Sequence, residues 1–501
     1  MSDRRFLLTF LIGLVLLQAA WCFAVPPFRG IDEHDHAYRA SDVAHGDFSN
    51  SHRASPQGWG WFVPADRTIV DAAGPVCYSL RYTTWDNCAA QRDLGSGMAE
   101  VASAQAQSIP LFYLVVGSVG RPFHGVTALY AMRIATMLIS SFLTALAAVT
   151  LRRWARTRWP LVGLALALTP VLVYSTAIVA PNGVEMAAGL LLWSALLGIV
   201  RSDGADDRHY IWLATAGALP LVALRTMGPL WCLLIVLCAA ALAGRKRIRG
   251  LLSRRAAWVA MSAVALMTAA VAVWIFTAHS NFVAPSGTVE NSLLDELPAQ
   301  YALWFFQSVA AFPTRTEFAP YLLYVIAFAT AGSVAAVAAV RASRTERLTL
   351  AAIWLLTSAV SIAATVAMYA DQGFGWQGRY ALPFTVGFFL LIGLVLDRRP
   401  VPIPDWVALV GVSLVAIVTE LMSTLHVQNR EQRISPLAHS SEWVVVPDAV
   451  LITLVVLGGG LQLWAALDAT NGRPSLEAGS GGPIDEVRPS DDSVTAVPAA
   501  R

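Results

Sequence analysis

Charge is what this sequence has least of. Only 14% of its 501 residues are Asp, Glu, Lys or Arg, against roughly 25% in ordinary soluble domains, while 56% are hydrophobic. The bilayer is therefore the expected main solvent. A surplus of either sign is missing too: 35 Lys and Arg stand against 33 Asp and Glu, a net charge of +2, which excludes a basic surface for nucleic acid. No solenoid-scale repeat and no inverted duplication of the hydropathy pattern is visible, which disfavours many secondary-transporter folds. Arg greatly outnumbers Lys, and Ala, Val and Leu dominate the apolar runs, in keeping with a high-GC bacterial genome.

What the chain does have is long apolar runs. They recur around residues 6–25, 126–150, 159–179, 184–200, 257–277, 321–340, 349–369, 381–396, 405–424 and 445–467, each near the roughly 20 residues needed to cross the hydrocarbon core. The stretch 211–244 is too long for one span and short for two, with Pro220, Arg225, Gly228 and Pro229 at its centre; it reads as two short helices meeting near the outer surface. About twelve transmembrane helices result. The first run, after Arg4 and Arg5, reads as an anchor rather than a signal peptide, because it is longer than a usual signal core. Trp21 stands before Cys22 where a lipoprotein would need a small residue, so Cys22 reads as a thiol in an apolar helix.

Positive charge gives an independent test of the count, since cytoplasmic loops carry the Lys and Arg. Arg4 and Arg5, the cluster 152–158, Arg201 with Arg208, the cluster 244–255, the cluster 341–347, and Arg398 with Arg399 fall on alternate connections. The expectation is a bacterial inner-membrane protein with both termini cytoplasmic. Residues 1–470 would form one multi-pass domain, with 26–125 as a long first extracytoplasmic loop. The tail 471–501, rich in Gly, Pro, Ser, Asp and Ala, should be a disordered cytoplasmic end.

Chemistry-bearing residues concentrate directly after the first span. Asp32, Glu33, His34, Asp35 and His36 are consecutive, followed by Arg39. A base that takes a proton from an alcohol, or a divalent cation that neutralises a phosphate, would need such groups at the membrane surface; the plainer reading is a solvated loop start. Asp32, Glu33 and His36 are the candidates for holding a metal. Farther along the loop, Cys77 and Cys88 flank a short segment, and in an oxidising compartment a disulfide is the default. Cys232 and Cys238 fall within a span and read as core packing. At the outer end of another span, the segment 371–383 offers Arg379 and Tyr380 among glycines that would let backbone approach a ligand, with Arg379 placed to hold a phosphate or simply to snorkel. Arg133 lies inside an apolar run, where a charge costs roughly 2.5 to 3.5 kcal/mol on insertion scales and so needs a partner or a purpose. Glu185 and Arg225 are weaker cases near span ends.

Taken in order, these motifs resemble a known family. The stretch from Pro26 to Arg39, the Pro110-Leu111-Phe112-Tyr113 start, Tyr130 to Arg133, Pro170 to Glu185 with its Pro181-Asn182-Gly183 turn, and Gly378-Arg379-Tyr380 followed by Pro383 carry the likeness. It is to a bacterial family of predicted membrane proteins of unknown function (domain of unknown function 2142), grouped with the GT-C glycosyltransferases, over roughly residues 6–400. The resemblance implies an all-α polytopic GT-C-like fold with an acidic catalytic motif in its first extracytoplasmic loop, and transfer of a sugar from a polyprenyl-phosphate donor to a cell-envelope glycan or lipid acceptor. On that reading Asp32 is the general base, Glu33 and His36 orient it or hold a metal, and Arg379 with Arg225 or Arg39 stabilises the leaving phosphate. Two other classes remain open from the residues alone. One is a transporter or flippase of a lipid-linked saccharide using Arg133 and Glu185 along a path, and the other is a non-catalytic scaffold for envelope assembly.

Overall fold

The computed structural model describes residues 1–57, 59–202, 204, 206–278, 292–399 and 401–468; the tail expected at 471–501 lies outside the described residues. In chain order the helices are α1 (Asp3–Ala24), α2 (Glu33–Ala44), α3 (Arg67–Ser79), α4 (Trp85–Cys88), α5 (Pro110–Gly120), α6 (Gly125–Trp154), α7 (Trp159–Ala167), α8 (Pro170–Ser175) and α9 (Pro181–Arg201). There follow α10 (Asp207–Leu224), α11 (Gly228–Leu252), α12 (Arg255–Thr277), α13 (Leu293–Val309), α14 (Tyr321–Arg341), α15 (Arg344–Gln372), α16 (Leu382–Arg398), α17 (Asp405–Ile434) and α18 (Asp448–Asp468). The chain is a helical polytopic membrane protein.

Among the described residues, ten helices are long and apolar enough to cross a membrane, where the sequence suggested about twelve. The two differences have local causes. The run 159–179 breaks into α7 and α8 at Leu168 and Thr169, because Pro170 opens α8 and has no N–H to continue the helical ladder. The first turn of α10 carries Asp207, Arg208 and His209, and Pro220 lies inside it, which leaves no fully apolar length.

Burial sorts the spans. The apolar window of α9 is 89% buried, that of α12 only 6%, so α9 is the hub of the bundle and α12 a peripheral helix. On α12 the side chains of Leu266, Val273 and Phe276 face outward, as expected where lipid is the solvent.

The Arg clusters lie together at one end of the bundle, tied by acids. Asp3 pairs with Arg152 and Arg153, Arg158 with Asp405, Arg201 with Asp397, Asp207 with Arg247 and Arg254, and Glu346 with Arg398 and Arg399. The segment 26–125 sits at the opposite end and is itself folded. Strands β1 (Trp61–Asp66), β2 (Arg92–Gly95) and β3 (Met98–Ser103) form an antiparallel sheet in the order β1-β3-β2, with Trp61 opposite Ser103 and Asp66 opposite Met98. This sheet is a departure from the purely helical expectation. Helix α5 packs under α2 and leaves Leu111, Leu114, Val115 and Val119 exposed in one apolar stripe.

A disulfide joins Cys77, in the last turn of α3, to Cys88, the end of α4, across a separation of 11 residues. Closing so short a loop contributes about 3 kcal/mol in the chain-entropy model. Peptide mass mapping without reduction should therefore recover Cys77 and Cys88 in one crosslinked species. Alkylation of both thiols in protein taken from its native membrane would refute the pairing. Cys22, Cys232 and Cys238 are free and buried.

Candidate active site

The chain leaves α1 at Val25 and turns into α2 through a segment that is almost wholly buried. From Ala24 to Ala44 all residues are buried but Asp32. Asp32 is the N-cap of α2 with φ 55°, in the left-handed region, and its side chain makes no capping hydrogen bond. Phe28 shares that region at φ 60°. Asp tolerates this conformation better than most residues, yet it costs of order 1 kcal/mol and persists only where the surroundings impose it.

Those surroundings begin with Glu33 and Arg133. Arg133 donates from Nε to Glu33 Oε1 (2.8 Å) and from Nη2 to Oε2 (2.6 Å), and gives its other protons to the carbonyls of Cys22 (3.0 Å), Val25 (2.9 Å) and Pro26 (2.9 Å). Its donors are thus spent on the frayed end of α1 and on one carboxylate. Glu33 is equally occupied, since Oε1 also accepts from Val179 N (3.0 Å) and Oε2 from Gly30 N (3.2 Å). Both side chains are fully buried. The insertion cost of Arg133 is thus offset by a structural partner one hundred residues away in sequence.

Arg29 adds a second brace. It pairs with Glu317 (2.9 Å) and Glu431 (3.0 Å), and Arg430 joins Glu317 at 2.7 Å, so the segment 310–320 and the end of α17 hold the turn before Asp32. Burial would raise the Glu317 carboxyl, but Arg29 and Arg430 outweigh it and hold it below its ordinary range. Tyr174 of α8 is the third brace: its hydroxyl accepts from Ile31 N (3.0 Å) and donates to the carbonyl of Pro313 (3.0 Å).

Two cations lie near His36 of α2. Arg379 lies on a short 3-10 turn, Gly378–Ala381, ahead of α16. Gly378 has no room for a side chain: a Cβ there would sit 1.9 Å from the Trp304 carbonyl oxygen, so this glycine serves helix packing rather than ligand approach. The neighbouring Arg379 is 3% exposed, and its Nε and Nη1 have no hydrogen-bond partner among the described residues. Arg225, after α10, sits 3.8 Å from Glu185, and the guanidinium groups of Arg225 and Arg379 lie 4.6 and 5.4 Å from the Tyr380 ring centre. The Tyr174 hydroxyl, bonded to the residue before Asp32, is within electrostatic reach of Arg379. His36 on α2 holds Tyr113 through Nδ1 (2.8 Å). Burial first, then Arg225, Arg379 and His34, push His36 well below the usual imidazole range, so it is neutral at neutral pH. An apolar cavity of about 630 Å³ opens beside the 3-10 turn, lined by Thr169, Pro170, Trp304, Phe388, Gly378 and Leu382 among others.

The sequence candidates thus separate into two groups. His36, Arg225, Arg379 and Tyr380 come together, and Asp32 lies at the start of the helix that carries His36. Glu33 and Arg133 go into the frame, and Arg39 turns away, bound to Asp42 and to the carbonyls of Ser49 (3.1 Å) and Asp47 (3.5 Å). Arg39 also sits inside the group that converges like a metal site, Asp42, Asp47 and His52, so a guanidinium already supplies the cation there. The expected metal set of Asp32, Glu33 and His36 does not converge in this way, because each Glu33 oxygen already accepts two hydrogen bonds. Arg133 and Glu185, the residues of a transport path, are both paired, Glu185 with Arg225. Arg29, Tyr174 and Glu317 are not singled out by the sequence as single residues; Arg29 lies in the stretch from Pro26 to Arg39 and Tyr174 in that from Pro170 to Glu185, while Glu317 carries no signal.

Comparison with known proteins decides the family. The description "Predicted membrane protein (DUF2142)" matches residues 14–388. The chain belongs to this family. Among solved structures, it is similar to ArnT from Cupriavidus metallidurans bound to undecaprenyl phosphate, at 13% identity and a TM-score of 0.36, over 86% of this chain and 75% of that one. The apo state of the same ArnT matches at 12% identity, with the same TM-score and coverage. No curated protein matches. Family membership covers the site: Asp32, Arg225 and Arg379 all fall inside the matched region.

Proposed function

We propose that this member of the DUF2142 family is a GT-C-type membrane glycosyltransferase of the bacterial inner membrane. It moves a sugar from a polyprenyl-phosphate donor to an extracytoplasmic envelope glycan or lipid acceptor. The observation that carries this reading is the contrast between two neighbours: Asp32, part-exposed and making no capping hydrogen bond, stands beside buried Glu33, whose oxygens each accept two hydrogen bonds, on the same end of the bundle as a buried Arg379 with two nitrogens unpartnered among the described residues. A base needs free lone pairs at a fixed position, and a leaving phosphate needs free donors.

In the transfer, Asp32 takes the proton of the acceptor hydroxyl as that oxygen bonds to the anomeric carbon. The bond from that carbon to the phosphate oxygen breaks, and the electron pair leaves on the phosphate, which Arg379 holds by charge-assisted hydrogen bonds. Arg225, which also lies against the Tyr380 ring, supports it while compensated by Glu185. Glu33 and Arg133 position the Asp32 backbone and do not touch substrate. The apolar cavity beside Gly378 suits the polyprenyl chain, being within the 300 to 1,000 Å³ typical of ligand pockets.

Arg379→Ala is expected to weaken binding of a polyprenyl-phosphate analogue about ten- to a hundredfold, the loss of hydrogen bonds to a charged group. Folding should be little changed, since the Nε and Nη1 nitrogens have no hydrogen-bond partner among the described residues. Unchanged affinity, measured by equilibrium binding in nanodiscs, would remove the phosphate role. At the cellular level, a deletion strain should lack one sugar from its lipid-dependent envelope glycans, and an intact glycan profile would count against transfer altogether.

A further inference from the structure

The segment closed by the Cys77–Cys88 disulfide is held more tightly than a surface loop requires. Thr83 Oγ1 donates to the carbonyls of Cys77 (2.5 Å) and Leu80 (3.0 Å), and Asn87 Nδ2 donates to the carbonyls of Trp59 (2.9 Å) and Ala102 (3.2 Å). Large aromatic side chains are usually mostly buried, yet this anchored segment exposes Tyr78 by 50%, Tyr82 by 41% and Trp85 by 61%. The rings of Tyr78 and Trp85 lie 5.8 Å apart, tilted by 43°.

Strand β3 ties this segment to the candidate active site. Next to Ala102, which accepts from Asn87, Ser103 Oγ donates to the Asp35 carbonyl (3.0 Å) and Ala104 N to Asp35 Oδ1 (2.8 Å). The Tyr82 hydroxyl is within electrostatic reach of Asp32, Asp35 and Arg29. Although Tyr82 is 41% exposed, burial first, and then the two carboxylates, push its ionisation well above the usual phenol range, so it is a neutral donor.

We propose that this disulfide-bounded segment is the acceptor rim of the Asp32 site and that it binds a saccharide. Tyr78 and Trp85 offer ring faces to the C–H face of a sugar, and Tyr82 hydrogen-bonds the acceptor hydroxyl that Asp32 deprotonates. The surroundings favour a sugar over a lipid surface. The rings alternate with Ser79, Arg81, Thr83 and Thr84, of which none is buried, whereas the exposed stripe of α5 is Leu and Val apart from Ser118, whose hydroxyl bonds back to the Leu114 carbonyl. Amphipathic rings among hydroxyls and a charge suit a ligand with both C–H and O–H groups. The inference rests on the proposed transfer reaction for the role of Tyr82, but not for the binding by Tyr78 and Trp85.

The test uses the full chain in nanodiscs. The probe is a set of oligosaccharides released by partial hydrolysis of the envelope polysaccharide of the producing cells. Wild-type protein should bind members of this set, and Trp85→Ala or Tyr78→Ala should weaken binding about tenfold, the scale of one aromatic contact. Affinity for a polyprenyl-phosphate analogue should stay unchanged in both variants. Tyr82→Phe should raise the acceptor KM without changing analogue binding, a split that a merely structural role would not give. Mass mapping of the intact disulfide checks that each variant is folded. In nanodiscs with brominated acyl chains, the fluorescence component lost in Trp85→Phe should be unquenched in the wild type. No oligosaccharide binding by the wild type, equal binding by Trp85→Ala, or quenching of Trp85 by brominated lipid would each overturn the proposal, the last making the segment a membrane anchor. A failure of the transfer reading shows elsewhere, as an Asp32 variant that stays active while oligosaccharide binding persists.

Discussion

Asp32→Asn protein is expected to lose between about a hundredfold and ten-thousandfold of its transfer rate, the usual contribution of a general base, while its thermal stability in detergent stays at the wild-type value. The second half of that expectation is what makes the first informative. Asn keeps the size of Asp and tolerates the left-handed region equally well, so the φ of 55° costs no more in the variant. The Asp32 side chain makes no capping hydrogen bond, so none is lost at the start of α2. Only the capacity to take a proton disappears. Initial rates with a polyprenyl-phosphate sugar, measured beside a melting curve, provide the check. At least half of wild-type transfer remaining in Asp32→Asn would take the base away from this position and leave the enzyme reading without its site.

The features readable from sequence were those with a local signature. Apolar runs mark spans because a helix must be apolar along its whole length to cross lipid, and ten of them are present as long apolar helices among the described residues. The density of acids and histidines just after the first run marks the segment that carries Asp32 and leads into α2. What could not be read was which charge is free and which is spent. Asp32 and Glu33 are neighbours in sequence, but a left-handed residue at the N-cap sends their side chains different ways. The partner of Glu33 is a hundred positions on, where hydropathy reports only that Arg133 is anomalous. Arg39 shows the same limit, since its ligands at Asp42, Ser49 and Asp47 form only when the chain after α2 folds back over it. The break between α7 and α8 was hidden for a different reason: Pro170 was visible, but the run around it is apolar enough to pass for one span.

Breaking the Glu33–Arg133 pair should be the most destabilising single change in this region. Arg133→Met would leave the Glu33 carboxylate buried with only two backbone N–H groups, and would strip the carbonyls of Cys22, Val25 and Pro26 of their donors. Removing one partner of a buried ion pair typically costs about 3 to 5 kcal/mol, enough to remove most of the stability of many domains. The variant is therefore expected to give little folded protein from membranes and a sharply lowered melting temperature. Glu33→Gln is a milder change of the same kind, because the amide keeps one acceptor and its size but not its charge. It should lower stability measurably and reduce transfer through displacement of Asp32. The double variant, Glu33→Gln with Arg133→Met, removes both charges and should recover part of the stability lost in Arg133→Met alone, since an uncompensated charge is the larger part of the cost. Melting curves of the three proteins in one detergent supply the comparison. A Glu33→Gln protein as stable as wild type but unable to transfer sugar would return Glu33 from the frame to the chemistry.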